Sequence, residues 1–243
     1  MILANVRHRL SREDAQLALR LLARESAEDL DRAQQRLADE GLDAILDDER
    51  LPAAILHSRL GAYASLPLFL YVIVRHALMR AGERDRVMSD YIAALLLTFG
   101  LRRRSERISE ADDQLYDSLA SLLDDVNDRD PRRAFLVRVH LGNQALWVAG
   151  LFPDYIEQRK WRRGGPDLGY FEELGKRGFE LAAEHRIAEQ YGMADVYASV
   201  AARFGLVRVA LNAVSDRLLF PNVNSPERLM RQVRDEYRWK LAG

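Results

Sequence analysis

Four side chains that could build a polar site share one helical face of the apolar segment 131–151. They are His140, Asn143, Gln144 and Trp147, which stand at positions i, i+3, i+4 and i+7. Residues at these spacings are neighbours on a helix surface. If this face is buried, its polar atoms need hydrogen bonds, since an unpaired buried group costs about 1–3 kcal/mol. Two interpretations stay open: a structural stripe, either solvent-facing or hydrogen-bonded in the core, and the polar wall of a small-molecule pocket.

A pocket beside this stripe would need ligand-binding side chains from a second helix. Tyr71 and Arg75, in the predicted helix 66–80, are the candidates. His140 and His76 could each ligate haem, but a single histidine on an apolar helix is far more often structural. The sequence therefore predicts no cofactor.

The second candidate site is a cluster of cations around a tryptophan, suited to an anion or to a protein partner. It comprises Arg159, Lys160, Trp161, Arg162 and Arg163. Cations interleaved with aromatic side chains suit single-stranded nucleic acid, and they suit an acidic protein surface at least as well. The helix dipole also favours cations in a last turn by about 0.3–1 kcal/mol without any ligand. Because Asp154, Glu157 and Asp167 stand close by in the sequence, nucleic acid is not the expected partner.

Several common catalytic chemistries lack their residues. The chain contains no cysteine, which excludes disulfides, iron–sulfur clusters, thiolate zinc sites and cysteine nucleophiles. No histidine follows an acidic residue by three positions, as di-iron carboxylate bundles require. Glycine-rich phosphate loops and nucleophile elbows are also missing. These absences favour a non-catalytic protein that binds no metal.

Composition and charge describe a globular chain. Among 243 residues, 36 Lys and Arg balance 37 Asp and Glu, and the net charge is −1. Such a balance gives no long-range attraction for nucleic acid or anionic membranes. The longest apolar run, Leu66 to Val74, is far shorter than the roughly 20 residues of a membrane helix. With no secretory signal pattern at the N-terminus, we expect a soluble cytoplasmic protein without membrane contact.

The elements that must position these residues are all helical. The period of the apolar residues predicts an all-α fold: a single bundle with a buried central helix, 131–151, and an N-terminal helical arm. Residues 1–48 form the predicted arm and 49–243 the body, and we expect the chain to fold as one domain. The other predicted helices span 66–80, 85–100, 112–126, 153–163, 167–190, 193–219 and 226–240, and a polar loop covers 102–113. Gly175 and Gly178 are expected to let another helix approach closely.

One stretch resembles a known pattern. The segment "LGNQALWVAGLFPDYI", followed by "DLGYFEELGKRGFELAA", is similar to a family of small bacterial all-α proteins. The family pattern reads Leu-Gly-Asn/Asp, then Ala-Leu-aromatic, then Gly-Leu-Phe-Pro, and the similarity covers about 85–185. It implies a bacterial origin and no activity. Asn143 stands where an acid is expected, which weakens any acid–base role.

These observations favour a non-catalytic interaction or regulatory protein of the bacterial cytoplasm. Its expected partner is itself, as a homo-oligomer, or another protein. One alternative is a small-molecule-binding protein or enzyme that uses a polar pocket on the central helix. A further alternative is nucleic-acid binding through the basic corner, residues 159–163.

Overall fold

The structure is a computed structural model, and it describes residues 1–24, 26–101, 104–109, 114–116 and 118–242. These residues form α-helices and a few short 3-10 and π-helical turns, with no β-strand among them. The all-α prediction is therefore confirmed. The predicted loop 102–113 lies partly outside the described residues.

Internal contacts divide the chain into two compact units, Ile2–Thr98 and Phe99–Gly243. We call them the N-terminal unit and the C-terminal unit and describe each by itself. The predicted arm 1–48 and body 49–243 stay a prediction.

The N-terminal unit contains six helices among its described residues. They are α1 (Arg12–Ala23), α2 (Ala27–Glu40), α3 (Leu42–Leu46), α4 (Leu51–His57), α5 (Leu66–Arg80) and α6 (Arg86–Phe99), whose last residue belongs to the other unit. A capping box starts α1, because the Ser11 hydroxyl accepts from the Asp14 N–H and the Asp14 carboxylate accepts from the Ser11 N–H. Packing of α1 against α2 and α4 encloses the apolar face of α1.

The C-terminal unit is built around one long helix. Its described helices are α7 (Leu119–Asp125), α8 (Pro131–Leu151), α9 (Pro153–Arg163), α10 (Leu168–Ala183), α11 (Arg186–Gln190), α12 (Ala194–Ala202), α13 (Phe204–Val214) and α14 (Pro226–Ala242). Central helix α8 packs against α7, α10 and α13. Asp130 caps it by accepting from the Arg132 N–H at 2.9 Å, with Pro131 as its first residue. The predicted central helix 131–151 is confirmed.

Glycines allow α8 and α10 to approach closely. A Cβ atom on Gly178 would lie 2.7 Å from the Gly142 nitrogen and 2.9 Å from the Arg138 oxygen. A Cβ atom on Gly175 would lie 2.9 Å from that of Ala145. Side chains at these positions would collide with the opposite helix, so the expected packing role of Gly175 and Gly178 is confirmed.

The predicted continuous helix 193–219 is wrong. It is bent by 77° at Arg203, between α12 and α13, and a π-helical turn over Ser215–Leu219 follows α13. The apolar period runs unbroken through the bend, so the sequence pattern gives no sign of it. The bend serves packing, because α12 lies on α10 while α13 lies on α8.

Two other predicted helices are shorter than expected. The segment 112–126 contributes α7, which begins at Leu119 after the cap of Ser118. Residues 112, 113 and 117 lie outside the described part. The segment 167–190 divides into α10 and α11. His185 causes this division, because its ring Nδ1 accepts from the Ile187 N–H and caps a new helix.

Candidate functional site

Arg75, predicted as a ligand-binding residue, is buried and fully engaged in the N-terminal unit. Its Nε and Nη2 atoms donate to the two carboxylate oxygens of Asp47 at 2.8 and 3.1 Å. The Nη1 atom donates to the Arg84 carbonyl at 2.9 Å and to the Ser89 hydroxyl at 3.4 Å. This fork-like pairing uses the donors that an anionic ligand would need.

Asp47 is the hub of this cluster, since it also accepts from Arg86 at 2.7 Å. Burial raises the pKa of Asp47, but the hydrogen bonds and charges of Arg75 and Arg86 outweigh burial and hold the pKa below its ordinary value. The carboxylate therefore stays ionised at neutral pH. The arrangement is a structural ion cluster that ties α5 and α6 to the end of α3.

Tyr71, the other predicted residue of this unit, is completely buried on α5. Its hydroxyl has no hydrogen-bond partner among the described residues. Burial raises the pKa of Tyr71 above its ordinary value, so the phenol is neutral. A buried hydroxyl without a hydrogen-bond partner lowers stability.

The polar stripe on α8 is buried rather than solvent-facing. His140, Asn143 and Gln144 are all enclosed in the C-terminal unit. The His140 ring lies 5.4 Å from the Phe99 ring and 6.4 Å from that of Tyr116, centroid to centroid. The Gln144 amide donates to the Tyr116 carbonyl at 3.1 Å. These contacts hold the segment around Tyr116 against α8.

Trp147 completes the stripe with aromatic packing. Its ring meets those of Phe99 and Phe152 edge to face at 5.8 and 5.7 Å, a favourable geometry for aromatic pairs. The stripe thus has the features of a core network. Tyr71 and Arg75 belong to one unit and the stripe to the other, so a ligand pocket built from both stays a prediction.

The basic corner lies on the last turns of α9, and all five of its side chains are exposed. Lys160 pairs with Asp167 at 3.3 Å, and Arg159 donates to the Tyr155 hydroxyl at 3.4 Å. Trp161 is 76% exposed. The helix ends at Gly164, whose φ of 64° is left-handed and suits glycine. Cations at this end also stabilise α9 through its dipole.

An ion network in the C-terminal unit was not predicted. Three buried arginines, Arg208, Arg228 and Arg231, anchor α14. Arg208 donates to Asp235 at 2.6 and 3.0 Å and also contacts Glu172 and Asn212. Burial lowers the pKa of Arg208, but the charges and hydrogen bonds of Asp235 and Glu172 outweigh burial and raise the pKa above its ordinary value. The guanidinium therefore remains charged inside the protein.

The other two arginines join α14 to α9 and to the π-helical turn. Arg228 pairs with Asp154, and Arg231 donates to Asp216 at 2.8 and 3.0 Å. Through Arg208 the network reaches Asn212, whose amide donates to the carbonyls of Ala149 and Gly150. The network thus connects α14 to the end of the central helix.

Because of this network, α14 buries its charged face and exposes its apolar face. Arg228, Arg231 and Asp235 are buried, whereas Leu229, Met230 and Val233 are 55%, 71% and 62% exposed. We call these three apolar residues the α14 stripe. The sequence contained one sign of the network, because the charged positions 228, 231 and 235 share a helix face. However, α14 also carries an apolar face, and the apolar face is normally the buried one. The pattern of α14 would therefore have predicted the opposite orientation.

Two further properties concern ligands and membranes. Within the described residues, no group of three or more His, Asp and Glu side chains is placed to hold a metal ion. In the same part of the chain, no single helix combines the length and apolar character needed to cross a membrane.

Comparison with known proteins gives no relative from which to argue. No protein-family model, no curated protein and no solved structure matches this chain. The resemblance of the segment 141–156 therefore transfers no function, and the functional argument depends on the geometry above.

Proposed function

We infer that this chain is a non-catalytic interaction protein of the bacterial cytoplasm that associates with a second copy of itself through the α14 stripe. The single observation that carries the proposal is the inversion of α14, whose charged face is buried and whose apolar face is exposed. The cysteine-free composition fits a reducing compartment.

Covering the apolar face of α14 with another surface lowers the free energy of the protein. Removing apolar surface from water contributes about 25 cal/mol per Å², and the α14 stripe presents three large side chains on one and a half helical turns. Contiguous exposed apolar groups often mark protein interfaces. Met230 is adaptable in shape, which suits it to such a surface.

The buried side of α14 keeps this face in place. Arg208, Arg228 and Arg231 hold the helix through paired carboxylates, and leaving those carboxylates unpaired inside the protein would be costly. Rotating α14 to hide its stripe would break these pairs. The stripe can therefore be covered at low cost only by another surface.

A second copy is the occupant that this surface fits. The three stripe positions carry no charge, so two copies can meet across a two-fold axis without like-charge repulsion. The same side chains then lie opposite each other. A stable interface buries about 800 Å² per partner, so the stripe would form the centre of a larger contact.

The test is sedimentation equilibrium of the full chain over micromolar to hundred-micromolar concentrations. The unchanged protein should be a dimer, and Val233→Glu should give monomers because it places a charge at the centre of the contact. Val233 is exposed, so the substitution leaves folding intact, which circular dichroism checks.

The matched control is Val87→Glu, the same substitution at an exposed valine of the N-terminal unit. It should leave the dimer unchanged. A chain that is monomeric throughout this range contradicts the proposal. So does a dimer that survives Val233→Glu.

A further inference from the structure

The acidic residues of α9 do not neutralise its basic corner, because α14 uses them. The Asp154 carboxylate pairs with Arg228 and Arg231, and Glu157 accepts from Arg234 at 2.9 Å. Both acids lie on the side of α9 that meets α14. From the sequence alone, these two carboxylates would be expected to offset the positive charge of the neighbouring cations.

The opposite side of α9 keeps its positive charge. Arg162 and Arg163 are exposed and make no hydrogen bond or ion pair with any described residue. Arg159 adds a third charge, since its guanidinium donates to the Tyr155 hydroxyl and pairs with no carboxylate of the described residues. Lys160 is balanced by Asp167. Within the part of the chain that the structure describes, three guanidinium groups without a carboxylate partner therefore stand within two helical turns.

Aromatic surface accompanies these charges. Trp161 is largely exposed, and Tyr155 projects from the preceding turns of α9 with more than half of its surface in water. Tryptophan, tyrosine and arginine are the residues that most often dominate binding energy at protein interfaces. Arginine also pairs with carboxylates through two parallel hydrogen bonds.

We propose that the exposed side of α9 formed by Tyr155, Arg159, Arg162 and Arg163, together with Trp161 next to Arg162 in the last turn, binds an acidic polypeptide segment that also carries aromatic or apolar side chains. The carboxylates would pair with the arginines, and an apolar side chain would cover Trp161. This proposal goes beyond self-association and uses a different surface from the α14 stripe.

The shape of α9 favours a peptide over nucleic acid. Single-stranded nucleic acids are bound in positively charged grooves that follow the phosphate backbone. By contrast, α9 is a single convex helix of 11 residues, about 16 Å long. A net charge of −1 for the whole chain also disfavours long polyanions, whereas a short acidic segment meets only the local charge.

The experiment measures fluorescence anisotropy of a short fluorescein-labelled peptide of alternating Glu and Phe residues as the full chain is added. The unchanged protein should bind it, and added salt should weaken binding. Arg162→Ala combined with Arg163→Ala should reduce affinity about tenfold or more, because two charge-assisted pairs are lost. Trp161→Ala should reduce affinity by a similar factor.

The matched control is Arg132→Ala combined with Arg186→Ala, which removes the same charge from exposed positions elsewhere in the C-terminal unit. It should bind the peptide like the unchanged protein.

An equal loss in this control would overturn the proposal, since it would show only a general charge effect. Absence of peptide binding would overturn it as well. So would tighter binding of a labelled single-stranded oligothymidylate than of the peptide. Val233→Glu should leave peptide binding intact, which separates this test from that of self-association.

Discussion

Helices α8 and α14 of the C-terminal unit bury opposite kinds of surface. The central helix α8 is enclosed along most of its length by apolar neighbours, and its buried His140 and Gln144 contact aromatic rings and a backbone carbonyl. The terminal helix α14 buries arginines and an aspartate and leaves leucine, methionine and valine in water. Within one unit, apolar packing positions the first helix and ionic pairing positions the second.

The difference shows what decides the orientation of an amphipathic helix. A buried charge is tolerated only when it is paired, because an isolated buried ion is very costly. The carboxylates of Asp154 and Asp216 lie on the surface against which α14 packs, and each pairs with buried arginines of α14. Those carboxylates, rather than apolar area, select the face that α14 turns inward.

The largest expected effect comes from breaking the ionic side of this comparison. Arg208→Met should lower the free energy of unfolding of the C-terminal unit by about 3–5 kcal/mol, because it leaves Asp235 and Glu172 without their buried partner. Urea unfolding followed by tryptophan fluorescence measures this, since Trp147, Trp161 and Trp239 all belong to that unit.

Arg217→Met, at an exposed position, serves as its control and should change stability by less than about 0.5 kcal/mol. Adding Asp235→Leu to Arg208→Met should recover part of the loss, because the stranded carboxylate is removed. A similar effect for Arg208→Met and Arg217→Met would refute ionic anchoring of α14.

A second prediction compares the same substitution in the two helices. Leu146→Ala in α8 should cost about 3 kcal/mol, because it leaves a cavity around a completely buried side chain. Leu229→Ala in α14 should cost less than about 0.5 kcal/mol in the monomer, because that side chain is half exposed. Urea unfolding at low protein concentration gives both values, and equal costs would mean that Leu229 is buried in solution.

The smallest effect concerns the glycine contact that holds α8 against α10. Gly178→Ala should destabilise the C-terminal unit by about 2 kcal/mol, because the new methyl group meets backbone atoms of α8 that have no room to move. Gly205→Ala, where the added group meets no atom within 4 Å beyond its chain neighbours and the adjoining backbone of its own helix, should instead stabilise α13 slightly. Thermal unfolding compares the two, and a Gly178→Ala protein as stable as Gly205→Ala would exclude a tight contact.

Much of the secondary structure could be predicted because its signals are local. The helices 66–80, 131–151 and 153–163 begin and end where their prolines, caps and glycines place them. The bend at Arg203 could not be predicted, because the apolar period continues across it. Only the positions of α8 and α10 make a straight helix less favourable there than two shorter ones.

The candidate sites were predictable to a smaller extent. Residue type and spacing identified the stripe on α8 and the basic corner on α9, but they left open whether the stripe is buried. The ionic anchor of α14 was missed entirely. Its partners Asp154 and Arg228 are 74 residues apart, and no local pattern connects residues at such a separation.

By itself, the sequence determined the fold class, the limits of several helices and the lack of cysteine chemistry. These properties follow from composition and from interactions between residues a few positions apart. The tertiary structure alone decided which face of α14 turns inward and which charges of α9 stay free. The reason is physical: the cost of burying a charge depends on the partner it meets, and the fold brings those partners together from distant parts of the chain.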